Sequence, residues 1–269
     1  MRKTNKLMAT ILTLCMMISL LPTMSLTAFA DTATNVYVGV VELTSTGTGD
    51  ITYATVSDNV VTKVTDDSVP TDNYAKFENG TLTLHNFTYS GEGHTEDKTK
   101  AGIYSAGELT LVLEGTNSVT QTGNPVGDSH HTSVAVAGKE GITISGSGSL
   151  YAVAGKSSFS LGIRSDKGYV TVEGRSTVIA IGTETTYGIS SGIWCYSDFT
   201  LKDTACLTAI GENNDCFSQG IVAKNQINID GGTLTAKATG TNTDYRTAAI
   251  NQVPTMTNYT GGYQWKTSE

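Results

Sequence analysis

Between residues 76 and 250 the chain alternates apolar and polar residues in short phrases that recur about every 29 residues. The first phrase is a pair of large apolar residues separated by one position. It occurs six times: Leu82/Leu84, Leu111/Leu113, Ile142/Ile144, Val170/Val172, Phe199/Leu201 and Ile227/Ile229. A period of two places alternate side chains on one face of a β-strand, so each repeat is predicted to contain a strand here.

Two more apolar phrases follow the first one in each repeat. The second begins at Val119, Leu150, Val178, Leu207 and Leu234, commonly with alanine two positions later, at Ala152, Ala180, Ala209 and Ala236. The third is often preceded by glycine and contributes Ile103, Val134, Ile163, Ile193, Ile221 and Ile250. Each repeat is therefore predicted to have three strands, with the alanines marking a close approach of two walls.

Three short strands with one apolar face each cannot form a core alone, whereas stacking the repeats buries every apolar face. We therefore predict an all-β fold, a right-handed single-stranded parallel β-helix (solenoid) of about six rungs of 27–31 residues, with an N-terminal cap. An antiparallel sandwich or barrel is the alternative. It is disfavoured because the hairpin dipeptide Asn-Gly occurs only at Asn79-Gly80.

The flanking segments predict export and covered ends. Residues 1–30 combine a basic start, an apolar stretch and Ala28-Phe29-Ala30, the pattern of a cleaved signal peptide, with an uncleaved anchor as the alternative. Residues 31–75 lack the repeat and are predicted to form an N-terminal β cap on the β-helix of 76–250. Residues 251–269 are predicted to be a C-terminal cap or the start of a further module. We expect a secreted, cell-surface-associated protein with no membrane insertion after signal cleavage.

Net charge restricts the classes of partner. The whole chain has a net charge of −8, and removing Arg2, Lys3 and Lys6 with the signal peptide brings it to −11. Nucleic acids and anionic lipids need basic surfaces, so both are excluded as expected partners. Calcium and neutral polymers remain. An anionic polymer would need bridging cations or a local basic patch.

Three cysteines follow the predicted signal peptide: Cys195, Cys206 and Cys216. An odd number does not suit a disulfide framework, and their spacing matches no zinc site. We expect small core or loop residues, with one disulfide as the alternative.

The loops between the second and third strands each contain an aromatic residue: Phe159, Tyr187, Phe217 and Tyr245. Exposed side chains stacked at rung spacing would offer a row of platforms for the apolar faces of sugar rings. These four residues are the candidate carbohydrate-binding residues. The alternative is that the rings turn inward and close the loops over the core.

The same loops supply oxygen ligands of the kind that calcium prefers. The candidate metal ligands are Glu212, Asn213, Asp215 and Asp244. Their spacing is not that of an EF-hand, and a solvated loop is the alternative.

A column of mostly polar residues follows the first strand: His85, Glu114, Ser145, Glu173, Lys202 and Asp230. Glu173 and Asp230 could form a catalytic carboxylate pair. However, two rungs separate them by about 10 Å, with Lys202 between. A surface charge column is the better interpretation, and no catalytic residue is predicted.

Several segments resemble a family of secreted, surface-associated parallel β-helix proteins of clostridia and their relatives, known as carbohydrate-binding-domain proteins. The matching segments are YVGVVEL, KFENGTLTLHNFT, AGIYSAGELTLVLEGTN and ITISGSGSLYAVAG. The resemblance implies polysaccharide binding, with calcium sites and pectin-like or cellulose ligands in at least one relative. Its motifs are structural rather than catalytic.

The sequence therefore predicts a non-catalytic polysaccharide-binding protein at a bacterial surface, with calcium as a candidate cofactor. The expected partner is a pectin-like polymer, cellulose or a host glycan. One alternative is a polysaccharide lyase or hydrolase on the same scaffold, which pectin lyase-like enzymes use. Another is a structural adhesin or spacer that binds a host protein.

Overall fold

A computed structural model describes residues 35–45, 49–66, 68–122, 131–185, 188–213, 216–240 and 247–257. All of them belong to one compact unit spanning residues 31–269. The described residues form strands and no helix, so they contain no helix able to span a membrane. The predicted all-β fold is confirmed.

Five antiparallel strands precede the repeats: β1 Asn35–Val38, β2 Val41–Thr44, β3 Ile51–Ser57, β4 Val60–Lys63 and β5 Tyr74–Glu78. Six coils follow. The first is β6 Thr81–His85, β7 Thr88–Gly91, β8 His94–Glu96 and β9 Thr99–Ser105; the second is β10 Glu108–Glu114, β11 Thr116–Gln121 and β12 Thr132–Gly138; the third is β13 Gly141–Gly146, β14 Ser149–Ala154 and β15 Phe159–Ser165. The fourth is β16 Val170–Val172, β17 Thr177–Gly182 and β18 Ile189–Cys195; the fifth is β19 Phe199–Glu212 and β20 Phe217–Ala223; the sixth is β21 Ile227–Thr239 and β22 Thr247–Ile250, before β23 Thr255–Met256.

Corresponding strands of successive coils pair in parallel. The first strands follow the order β6, β10, β13, β16, β19, β21, and the third strands the order β9, β12, β15, β18, β20, β22. The six first strands make five parallel interfaces between successive coils, and the structure is a β-solenoid of about five turns. In the fifth and sixth coils the first and second strands form the single strands β19 and β21, whose pairing is irregular between Asp203 and Cys206.

The register corrects part of the predicted columns. Val136, not Val134, pairs with Ile103 and Ile163. Likewise Ile144 pairs with Leu111, so the first-strand columns also shift by two residues between the second and third coils. A shift of one residue would expose the apolar set, but a shift of two leaves the buried face unchanged, and the hydrophobic pattern does not detect it.

The interior is narrow where the second and third strands face each other. Ala152, Ala180 and Ala209 are fully buried in the second strands. Opposite them, the glycines preceding the isoleucines have no room for a side chain; a Cβ on Gly192 would lie 2.7 Å from the carbonyl oxygen of Ala180. The predicted close approach at the alanines is therefore present.

The corner between the first and second strands requires a left-handed backbone in every coil. Asn86 and Gly115 turn the first two coils at φ 50° and 65°. In the next four coils the turning residues form one aligned column: Gly146, Gly174, Asp203 and Gly231, at φ 106°, 72°, 60° and 111°. Only glycine, asparagine and aspartate adopt this conformation readily, which explains the composition of the corner.

Gly174→Ala is expected to lower the free energy of unfolding by about 1 kcal/mol, mainly through backbone strain. The nearest atom to an added Cβ is the carbonyl oxygen of Gly146 at 3.3 Å, a slightly tight contact that a small shift of the backbone relieves. Gly174→Asn is the matched variant, since asparagine already turns the first coil at Asn86. Urea unfolding should rank wild type above Asn and Asn above Ala; equal midpoints for Asn and Ala would contradict this explanation.

The antiparallel strands cover the first coil. β5 pairs with β6, and β1 pairs with β9 through Tyr37 and Val38. Tyr37 also stacks on His94 with ring centroids 3.7 Å apart, and Tyr74 of β5 stacks on His85. The predicted N-terminal cap thus consists of antiparallel strands, and β5 continues past the predicted boundary at residue 75.

At the other end of the solenoid, β23 adds a short parallel strand to β21. Residues 258–269 lie outside the described residues, so the prediction of a C-terminal cap or further module stays a prediction. The sixth coil is less buried than the others, with Leu234 and Ile250 only partly covered.

Candidate functional site

A groove of about 410 Å³ opens where the second strands of the solenoid end. It is lined by Lys156, Thr183, Glu184, Glu212, Asn213 and Thr239. These residues come from four successive coils, so the groove follows the stacking direction. Its lining presents ammonium, carboxylate, amide and hydroxyl groups side by side.

Two columns of residues form this lining. Gly182 pairs with Gly211, which places Thr183 beside Glu212 and Glu184 beside Asn213. Glu212 pairs in turn with Thr239. The Lys156 ammonium lies 3.6 Å from a carboxylate oxygen of Glu184, and both side chains are about half exposed, so this pair contributes little stability.

Asn213 fixes the floor of the groove. It is buried, and its side-chain amide donates a hydrogen bond to the Thr185 hydroxyl at 2.6 Å. Its backbone amide donates to the carbonyl oxygen of Thr239 at 3.0 Å. The residue therefore ties three neighbouring coils together beneath the exposed carboxylates.

A column of buried serines supports the groove from inside: Ser133, Ser160, Ser190 and Ser218. Each hydroxyl accepts a hydrogen bond from a backbone amide of the next coil, the amides of Gly155, Thr183, Glu212 and Thr239 at 2.9, 2.8, 2.8 and 3.1 Å. Three of these hydroxyls also donate to a carbonyl of their own coil, at Ala154, Gly182 and Gly211. Each of those three serines bridges two coils at the groove.

Sequence reasoning missed the serine column and the threonines of the lining. A signal was present, because Ser160, Ser190 and Ser218 each precede the third-strand isoleucine by three positions. In a regular strand, residues three positions apart point to opposite faces, so a serine three residues before a buried isoleucine is expected to be exposed. In β15 and β18 the alternation is interrupted before the isoleucine, where the serine, the next residue, the glycine and the isoleucine are all buried.

Two of the four candidate aromatic residues lie in the described part of the chain. Phe159 and Phe217 share one column of the third strands, with Ile189 between them. Phe159 is half-buried and Phe217 is 37% exposed. Tyr187 and Tyr245 lie outside the described residues. The aromatic row stays a prediction, and Ile189 interrupts it.

Two of the four candidate metal ligands also lie in the described part. Glu212 is exposed on the groove, and Asn213 is buried with its amide nitrogen facing Thr185. Asp215 and Asp244 lie outside the described residues. Within the described ranges no group of three or more His, Cys, Asp and Glu side chains could hold a metal ion. Calcium binding stays a prediction.

The charge column is aligned over four coils only. Glu173, Lys202 and Asp230 share it, and Ser145 precedes them. The Lys202 ammonium lies 2.7 Å from a carboxylate oxygen of Glu173, and this hydrogen bond raises the pKa of Lys202 above its ordinary value.

The pair His85 and Glu114, with 3.3 Å between ring nitrogen and carboxylate, is two residues out of register with that column. The prediction of a single column is therefore wrong in the first two coils, for the same reason as the strand register.

Cys195 and Cys216 fit the expectation of small core or loop residues, whereas Cys206 lies exposed on strand β19. Cys195 and Cys216 are buried and Cys206 is exposed, and Cys195 and Cys206 are free thiols. Burial raises the pKa of the Cys195 thiol to about 12, so it stays protonated and unreactive at neutral pH.

Comparison with known proteins yields no relative: no protein-family model, no curated protein and no solved structure matches the chain. Because a fold alone does not define a function, the groove carries the functional argument.

Proposed function

We propose that the protein is a non-catalytic polysaccharide-binding module that holds an extended sugar chain along the groove. The observation that carries the proposal is the groove lining, which runs across four stacked coils. At about 4.8 Å per coil its length is roughly 15 Å, which suits several residues of a linear polymer rather than one small molecule.

The chemistry of the lining matches sugar hydroxyls, which both donate and accept hydrogen bonds. Glu184 and Glu212 offer acceptors, Lys156 offers donors, and the hydroxyls of Thr183 and Thr239 can do either. Phe217 begins the next strand, and its backbone carbonyl oxygen lies 3.5 Å from the side-chain nitrogen of Asn213. Its exposed ring offers an apolar face. Neutral polymers such as cellulose or xylan and host glycans fit this lining.

Export to the cell surface and calcium assistance belong to the same proposal. The signal-like residues 1–30 support export. The carboxylate of Glu212, at the start of the predicted calcium loop, supports a cation near the bound polymer.

Glu212→Ala is expected to weaken binding of the preferred polymer about tenfold, since a hydrogen bond to a charged group contributes about 1.5–3 kcal/mol. Glu42→Ala is the matched control, because Glu42 is an exposed glutamate on β2, in the cap rather than the groove. Residues 31–269 would be titrated by calorimetry against cellulose oligosaccharides, xylan, polygalacturonate and mucin glycans, each with calcium and with a chelator. Equal weakening by both substitutions would contradict a site at the groove.

The same panel tests the alternatives. A lyase or hydrolase is favoured by one feature, the presence of Glu184 and Glu212 on adjacent coils of one groove. Release of unsaturated or reducing sugars would establish it in place of our proposal. Binding to none of the polymers would favour an adhesin or spacer.

A further inference from the structure

A second cluster of sugar-compatible side chains lies at the opposite end of the third strands. Arg164 pairs with Trp194 across β15 and β18, and the pair of Cys195 with Ala223 places Tyr196 beside Lys224. We call these four residues the aromatic–cation platform. Ile189 to Cys195 spans about 20 Å of extended strand, so the platform is separate from the groove.

The platform faces away from the core. The neighbours Ile193 and Cys195 point into the interior and are fully buried, whereas Trp194 is half-buried and Tyr196 is 50% exposed. Lys224 is exposed immediately after β20. A ligand can therefore reach the ring of Tyr196 and the ammonium of Lys224 together.

Lys224 is held by aromatic rings rather than by a carboxylate. Its ammonium lies 4.0 Å from the ring centroid of Tyr196 and 5.8 Å from that of Trp194. Among the described residues it has no ion pair, whereas the neighbouring Arg164 is paired with Asp166. Asp166 lies beside Tyr196 by register, and Asp198 follows Tyr196 by two residues.

Lys224 thus places a positive charge on an aromatic surface of a chain whose net charge is −8. The overall field repels polyanions, so an acidic polymer can bind only where a local cation meets it. An aromatic face packs against the C–H groups of a sugar ring, while an ammonium binds a carboxylate through charge-assisted hydrogen bonds. A sugar that carries a carboxylate on its ring satisfies both groups at once.

We infer that the aromatic–cation platform binds a uronate residue of an acidic polysaccharide directly, without a bridging calcium ion. The inference rests on the proposed function as a polysaccharide-binding protein and adds a second site with a different ligand class. The ring of Tyr196 supports the sugar, and Lys224 binds its carboxylate.

Lys224→Gln is expected to weaken binding of an oligogalacturonate about tenfold in the presence of a chelator, because it removes a charged hydrogen-bond donor. Tyr196→Ala should weaken it as well through loss of the sugar platform. Lys63→Gln removes the same charge from an exposed position on β4 and should leave the affinity unchanged. The melting temperatures of the three variants would confirm that each is folded.

Two further ligands define the chemistry. The fully methyl-esterified oligogalacturonate lacks the negative charge and should bind wild type and Lys224→Gln equally weakly. A hyaluronan oligosaccharide carries uronate in a different chain, and comparing the two acidic probes identifies the source of the uronate. Equal affinity of wild type and Lys224→Gln for both acidic probes would overturn the inference.

Failure of the inference is distinguishable from failure of the proposed function. If neutral polymers bind and Glu212→Ala weakens them while neither acidic probe binds in chelator, only the platform inference falls. If no neutral or acidic polymer binds, both fall.

Discussion

Gly192→Ala is expected to lower the free energy of unfolding by about 3 kcal/mol, a large part of the stability of a typical domain. A Cβ at this position would lie 2.4 Å from the backbone nitrogen of Ile210 and 2.7 Å from the carbonyl oxygen of Ala180. Ala180 lies on β17 and Ile210 on β19, and each of these strands is paired in parallel with a strand on both of its sides. Neither atom can therefore move without disturbing a parallel interface. A flexible side chain could yield at such a contact, but backbone cannot.

The second coil supplies the control. By register, Ala135 occupies the place that glycine holds in the first, third, fourth and fifth coils, and it is buried without disrupting the fold. Ala135→Gly should therefore cost only about 1 kcal/mol, the ordinary penalty of an extra glycine in a strand. The measurement is urea unfolding followed by circular dichroism, comparing midpoints at constant slope. A Gly192→Ala midpoint close to that of Ala135→Gly would contradict the prediction, because it would show that the distance between the second and third strands adjusts to the added methyl group.

Ser190→Ala is expected to lower the free energy of unfolding by about 2–3 kcal/mol and to weaken polymer binding at the groove. The Ser190 hydroxyl donates to the carbonyl oxygen of Gly182 at 2.7 Å and accepts from the amide of Glu212 at 2.8 Å. Alanine would leave both backbone groups buried without a partner, which costs more than an absent hydrogen bond alone. Without the hydrogen bond from the Glu212 amide to Ser190, the backbone that positions Glu212 at the groove is held less firmly.

Ser190→Thr retains the hydroxyl and is the matched variant. Thr247 occupies the equivalent position of the sixth coil, where it pairs with Ser218, so the column accepts a threonine, although the Thr247 hydroxyl is buried without a hydrogen-bond partner among the described residues. We expect Ser190→Thr to recover most of the stability and most of the binding measured by calorimetry. Recovery of stability without recovery of binding would separate the serine column from the groove and would contradict its role in positioning Glu212.

The sequence pattern predicts the strands and their buried faces well, because alternation and repetition both reflect burial. It does not predict register over an irregular coil. Leu111 and Leu113 are equally apolar, and only the parallel hydrogen bonds decide that Leu111 pairs with Ile144. Hydrophobicity cannot distinguish the two choices, since both bury the same face.

The groove was only partly predictable for a different reason. Glu212 and Asn213 stand out as oxygen-rich residues in a variable loop. Thr183 and Thr239 look like any other strand residues until stacking brings them beside Glu212. Serines such as Ser160 and Ser190 were missed because each begins a run of four consecutive buried residues, where the simple alternation of a strand no longer applies.

The two-residue register shift has a consequence for how such a protein can diversify. A displacement of two residues along a neighbouring strand keeps the inward-facing residues inward, so that Leu109 and Leu111 pair with Ile142 and Ile144. The same displacement changes which outward-facing residues are neighbours, since Ser145 lies beside Val112 and not beside Glu114. Insertions and deletions of even length at the corners could therefore generate new surface combinations on an unchanged interior, a route to new ligands that avoids core substitution.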